Sequence, residues 1–177
     1  MSLLTALAIS LGVLGGVATW LFLGPLAGFS LQIWAAFIAW GCFFHCGGKD
    51  SGLGQTIAAN IAGAIIAGIT LFFVVSTGVA DALGLPIWAG ICVGIGVAAM
   101  CLLANVPMFS SIPAQVYGFA ATAGYSLLAD KANIVTAPTL ANPVLIIIIS
   151  MVIGAIFGYV SEKVAGQLVS SARPVSA

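Results

Sequence analysis

The chain is a succession of long apolar runs, each closed by glycine, proline or one of a few charged residues. The runs are continuous and rich in Ala, Gly, Ile and Leu, without the alternation of polar and apolar positions that marks the strands of a membrane barrel. A helical crossing of a bilayer takes about 20 residues, and the punctuation predicts six: 4–23, 30–46, 54–76, 86–105, 113–128 and 143–161. The fifth is short and follows Pro107 and Pro113, which bracket Met108-Phe109-Ser110-Ser111-Ile112. It reads either as a full span or as a broken, partly re-entrant segment. The first run lacks the basic start of a secretory leader and outlasts a leader's apolar segment, so it is expected to be retained.

Composition turns this pattern into a class. Of the 177 residues, 62% are hydrophobic and only 5% are charged, and the mean hydropathy is +1.26. A soluble domain carries about a quarter charged residues, so a water-soluble monomer is excluded and an all-α polytopic membrane protein is expected. Residues 1–161 form its single transmembrane domain, and 162–177 form a short cytoplasmic tail. The formal net charge is zero, which leaves no basic surface for nucleic acid. In the six-span reading Lys49, Lys163 and Arg173 fall on one side, and Lys131 falls on the other with Asp81 and Asp130. The positive-inside rule then places both termini in the cytoplasm.

An internal match suggests a repeat. Leu31-Gln32-Ile33-Trp34-Ala35 opens the second run and Leu85-Pro86-Ile87-Trp88-Ala89 the fourth; each is followed by a late cysteine (Cys42, Cys101), a turn, a glutamine (Gln55, Gln115) and a glycine-bearing helix. A two-helix hairpin used twice is the expectation. Stripes of small residues four apart support it: Ala59, Gly63 and Ala67; Ala114, Gly118 and Thr122; Ala8, Gly12 and Gly16; and Ser150, Gly154 and Gly158. The sixth and first runs would make a third hairpin, and three around one axis would leave a central path. Close helix packing in lipid explains the same stripes without any path.

Every charge in the chain falls in a loop or at a helix end, whereas proton relays and voltage sensors hold charges inside the bilayer. There is no carboxylate pair, no Ser/His/Asp set and no glycine loop between strand and helix, so no enzyme is expected. The polar residues near the runs are neutral, and Gln55, Asn60, Asn105, Gln115 and Tyr117 are candidates to exchange hydrogen bonds with an uncharged solute. Trp34, Trp88 and Phe109 are candidates for an aromatic constriction, although for the two tryptophans, each at the start of a run, an interfacial belt is the more ordinary reading. Cys42, His45 and Cys46 share a helical face but supply only three soft ligands, so neither a metal nor any cofactor is expected. A disulfide is not expected of thiols on the cytoplasmic side.

At Met100-Cys101-Leu102-Leu103-Ala104, Ser110-Ser111-Ile112-Pro113 and Gly118-Phe119-Ala120-Ala121-Thr122-Ala123-Gly124, the chain resembles domain-of-unknown-function family 1097, a family of small bacterial inner-membrane proteins. Trp88-Ala89-Gly90, Cys42 and the glycines after it agree, and the likeness runs from the first span to Tyr159. It implies a multi-pass fold in the bacterial inner membrane and no particular activity. More coarsely, three helical hairpins would be similar to the six-span urea and short-chain amide channels, an analogy of architecture alone.

Together these readings predict a passive channel or facilitator for a small uncharged polar solute of the urea or short-amide type, built as a homo-oligomer in the lipid bilayer. The alternative is a non-transporting scaffold or accessory subunit of a larger complex, whose striped helices serve packing only.

Overall fold

A computed structural model describes residues 1–171, and these are helices joined by turns with no strand among them. The helices are α1 (Leu3–Leu23), α2 (Ile33–His45), α3 (Lys49–Ser76), α4 (Val79–Leu83), α5 (Leu85–Leu103), α6 (Ile112–Leu128) and α7 (Pro143–Ser171). Single 3-10 turns, Ala27–Phe29 and Pro107–Phe109, lead into α2 and α6. Local chemistry sets several of the boundaries. Ser2 and Ser111 cap α1 and α6 by accepting from the amides of Thr5 and Ala114. The α2–α3 turn passes through Gly47 and Gly48 at φ +88° and +67°, a region that favours glycine.

Four helices, α1, α3, α5 and α7, are long and apolar enough to cross a membrane. Large apolar side chains such as Val13, Trp20, Ile69, Ile95 and Leu102 stand exposed on them. A surface of that kind is stable only against lipid or a partner, which makes the chain a multi-pass membrane protein. The second run is shorter as a helix than its apolar length predicts. At 13 residues α2 is about 20 Å long, against about 30 Å for a hydrocarbon core. The 17-residue α6 is about 26 Å long. At the other extreme, α7 runs ten residues beyond the predicted end at 161 and carries Glu162 and Lys163. Residues 172–177 of the predicted tail, Arg173 among them, lie outside the described residues.

Four helices form the centre, in two parallel pairs. α3 runs beside α6, with Gln55 Nε2 donating to Ser110 Oγ at 2.6 Å where both begin. α2 runs beside α7, with the Gln32 amide donating to Ser150 Oγ at 2.9 Å. Glycines let the backbones touch: a methyl group on Gly63 would strike the Gln115 carbonyl, one on Gly118 the Asn60 backbone, and one on Gly154 the Ala36 backbone. α1 lies outside α7, where Ser10 Oγ donates to the Ser161 carbonyl at 2.7 Å. α5 lies outside α3, where Trp88 Nε1 donates to the Phe73 carbonyl at 3.0 Å.

This packing differs from the predicted tandem of hairpins. The α2–α3 and α5–α6 pairs are both hairpins, yet α2 packs on α7 while α5 packs on α3, so their surroundings are not equivalent. The glycine crossings occupy the centre that three hairpins around an axis would leave open. The shared L-x-I-W-A segment has a local cause at each copy: the Trp34 indole donates to Gln32 Oε1 at 3.0 Å, and that of Trp88 to the Phe73 carbonyl.

Candidate functional site

The short helices α2 and α6 do not close against each other along their length. Trp34, Phe37, Ile38, Gly41, Cys42 and His45 recur at three- and four-residue spacing, so they form one face of α2. Tyr117, Ala120, Ala121, Gly124 and Leu128 form the opposing face of α6 by the same periodicity. Between them lies a cavity of about 770 Å³ lined by these residues and open along the side of the bundle, where most of its lining is exposed; none of the lining residues is a carboxylate, an ammonium or a guanidinium. Its size falls in the range of small-molecule sites. Glycine supplies the room, since a methyl added at Gly41 or Gly124 would meet nothing within 4 Å.

Two rings approach each other at one end of the cavity. The His45 ring stands edge-on to Tyr117 at a centroid distance of 6.0 Å, and just beyond it Cys46 Sγ lies 3.7 Å from Ser111 Oγ. Cys42 forms part of the wall and is buried with Ala59 and Ala114; its thiol donates to Asn60 Oδ1 at 3.6 Å, which joins the cavity to the α3–α6 crossing behind it. Four buried polar atoms in α3 and α6 have no hydrogen-bond partner among the described residues: Thr56 Oγ1, Asn60 Nδ2, Gln115 Oε1 and Thr122 Oγ1. Leaving such a group unpaired costs about 1–3 kcal/mol. Their clustering in two adjacent helices marks this region as unusually polar for a membrane interior.

The predicted site residues are scattered, with Phe109 in the 3-10 turn before α6, outside the cavity. Trp34 and Tyr117 meet across the cavity. Asn60 and Gln115 are both buried at the α3–α6 crossing, where the Gln115 amide donates to the carbonyls of Met100 (3.0 Å) and Phe109 (2.8 Å) and pins the α5–α6 turn. Gln55 lies at the end of the bundle on Ser110. Asn105, exposed, caps α5 through the Leu102 carbonyl at 2.8 Å. Trp88 lines a separate, smaller groove between α3 and α5, with Phe73, Cys92 and Gly96. The predicted set thus omitted Phe37, Ile38, Gly41, Cys42, His45 and Gly124 from the cavity wall. The signal for them was the period of α2, whose exposed ring-bearing face continues Trp34 in steps of three and four. Among the described residues no three His, Cys, Asp or Glu side chains are grouped as metal ligands.

A family model described as "Protein of unknown function (DUF1097)" matches residues 8–166. No curated protein and no solved structure matches the chain.

Proposed function

We propose, for a chain that belongs to the DUF1097 family of proteins of unknown function, that the cleft between α2 and α6 is the path of a small uncharged polar solute. The uncharged, ring-lined cavity is the observation that carries this reading. Transferring an ion into such a wall would leave its charge unpaired at a cost of several kcal/mol, whereas a neutral amide or alcohol loses only hydrogen bonds. His45, Cys42 and the Tyr117 hydroxyl supply part of those bonds, and Trp34 and Phe37 supply apolar surface. Urea and short amides have this chemistry, and passive facilitation is the matching mode, since no ionisable relay crosses the bundle among the described residues to couple a proton. We read the chain as six crossings, with α2 and α6 as the short ones. Lys49 and Lys163 gather at one end and Lys131 at the other. The positive-inside bias favours placing the first end, with both termini, on the cytoplasmic side of the bacterial inner membrane. The exposed apolar flanks suit lipid or further copies of the chain.

A scaffold without transport is the second reading, and the glycine crossings that close the centre favour it. Stopped-flow swelling of proteoliposomes separates the two. Faster permeation of urea, acetamide or glycerol than in empty liposomes is expected; equal rates for all three would overturn the transport reading. We do not read the site as catalytic, because no activated nucleophile or acid–base pair lines it.

A further inference from the structure

We infer that α1–α3 and α5–α7 are inverted-topology repeats, and that the α2–α6 cavity on their shared axis is a carrier site opened to the two sides of the membrane in turn. This rests on the transport reading above and specifies its mechanism.

The helices correspond in order and length: α1 has 21 residues and α5 19, α2 has 13 and α6 17, α3 has 28 and α7 29. A single 3-10 turn precedes α2 and another precedes α6, with Phe29-Ser30 and Phe109-Ser110 at their ends. The packing corresponds as well. Gly63 of α3 crosses Gln115 of α6, and Gly154 of α7 crosses Ala36 of α2. This pairs α2 with α6 at a shift of 79 positions, from Ala36 to Gln115, and α3 with α7 at a shift of 91, from Gly63 to Gly154. Under those shifts five of the six buried positions of α2 fall on buried positions of α6. Eight of the eleven in α3 fall on buried positions of α7. The Gly118–Asn60 contact maps onto Ala39 and Met151, which share one core cluster. α1 on the outside of α7 answers to α5 on the outside of α3.

The direction of the chain identifies the axis. Tyr159, past the middle of α7, donates to Asp50 Oδ1 at the start of α3 (2.6 Å), while Val144 at the start of α7 packs on Gly68 late in α3, so α3 and α7 are antiparallel. As α6 is parallel to α3 and α2 to α7, α2 and α6 are opposed too. Each helix therefore runs against its counterpart, which requires a two-fold axis lying in the membrane plane rather than along its normal. Folds of this kind place their solute site at the interface of the repeats, on short or interrupted helices in matching positions. Here those helices are α2 and α6.

Equivalent positions at the two ends of the cavity differ. His45 closes on Tyr117 at one end; their counterparts at the other are Gly124 and Ile38, and a methyl at Gly124 meets nothing. One end therefore carries a pair of aromatic rings and the other a glycine and an isoleucine, so positions equivalent by the repeat differ in the one state the structure shows, as they must at an alternating site.

Thiol labelling in vesicles of each orientation tests this. Cys42, Cys46, Cys92 and Cys101 are replaced by alanine, and Gly41→Cys or its counterpart Ala120→Cys is added. A membrane-impermeant maleimide should label either position from both faces. A disulfide between His45→Cys and Tyr117→Cys should abolish labelling from one face and spare the other. Labelling from a single face only, or labelling indifferent to the disulfide, would overturn the inference. If the cysteine-free chain does not fold, Ala120→Cys in a chain retaining only Cys92, which is buried in the separate α3–α5 groove, gives the same readout. Counterflow separates this inference from the transport reading. Vesicles preloaded with unlabelled acetamide should show a transient overshoot of labelled acetamide. Permeation without overshoot would overturn alternation and leave transport standing, whereas two-sided labelling with no permeation of any probe would overturn transport of these solutes alone.

Discussion

Glycine has opposite uses in two neighbouring parts of this molecule. At the crossings of α3 with α6 and of α2 with α7, Gly63, Gly118 and Gly154 lie against backbone of the facing helix, and a single methyl has no room. Between α2 and α6, Gly41 and Gly124 face open space. The first group holds the bundle shut and the second keeps a cleft open on its side. The difference teaches that a small residue in a membrane helix reports a role only once its neighbour is known: the same absence of a side chain either admits a backbone or leaves a void.

Substitutions that treat the two groups alike should separate them. Gly118→Ala or Gly154→Ala forces backbone apart and is expected to cost about 3 kcal/mol, at the upper end of overpacking penalties, read as a lower thermal midpoint or loss of monodisperse protein in detergent. Gln115→Leu comes next, at about 2 kcal/mol, because it strips the partner from the carbonyls of Met100 and Phe109 while removing an unpaired oxygen; the same unfolding assay reads it. Gly124→Ala should leave stability unchanged or raise it by up to about 1 kcal/mol, since alanine is the better helix former and nothing opposes its methyl. A loss as large as that of Gly118→Ala would erase the distinction. Tyr159→Phe, which removes the exposed bond to Asp50, should change stability by less than about 1 kcal/mol.

The apolar runs made the helices legible from sequence, and the small-residue stripes of α3, α6 and α7 marked surfaces that come close, whereas the Ala8, Gly12 and Gly16 stripe of α1 faces outward, and a methyl at either glycine would meet nothing. Ala59, Gly63 and Ala67 of α3 and Ser150, Gly154 and Gly158 of α7 occupy matching places in the two halves, as the shift of 91 shows. What the stripes do not carry is the identity of the partner, because any small-faced helix fits any other. The tryptophan match, by contrast, aligned α2 with α5, whose packing neighbours differ, and so pointed to a tandem rather than an inverted order. Gln115 and Asn105 looked like solute ligands because their types permit it. In the fold they satisfy carbonyls freed where α5 ends and the chain turns into α6, a local demand visible only once that turn is seen. The cavity wall was hidden for a related reason. Phe37, Ile38 and Gly41 have no polar chemistry to draw notice, and their importance comes from what α6 fails to fill.

A matched pair of bulky substitutions tests most directly whether that cleft is the path. Gly12 of α1 and Gly124 of α6 both sit where an added side chain meets nothing, but Gly124 lines the α2–α6 cavity and Gly12 lies on an exposed outer helix. Stopped-flow urea or acetamide permeation should fall at least about tenfold, an added barrier of about 1.4 kcal/mol, in proteoliposomes of Gly124→Trp. It should stay at the unmodified rate in Gly12→Trp, with both proteins equally folded. Equal permeation by the two variants would contradict the account.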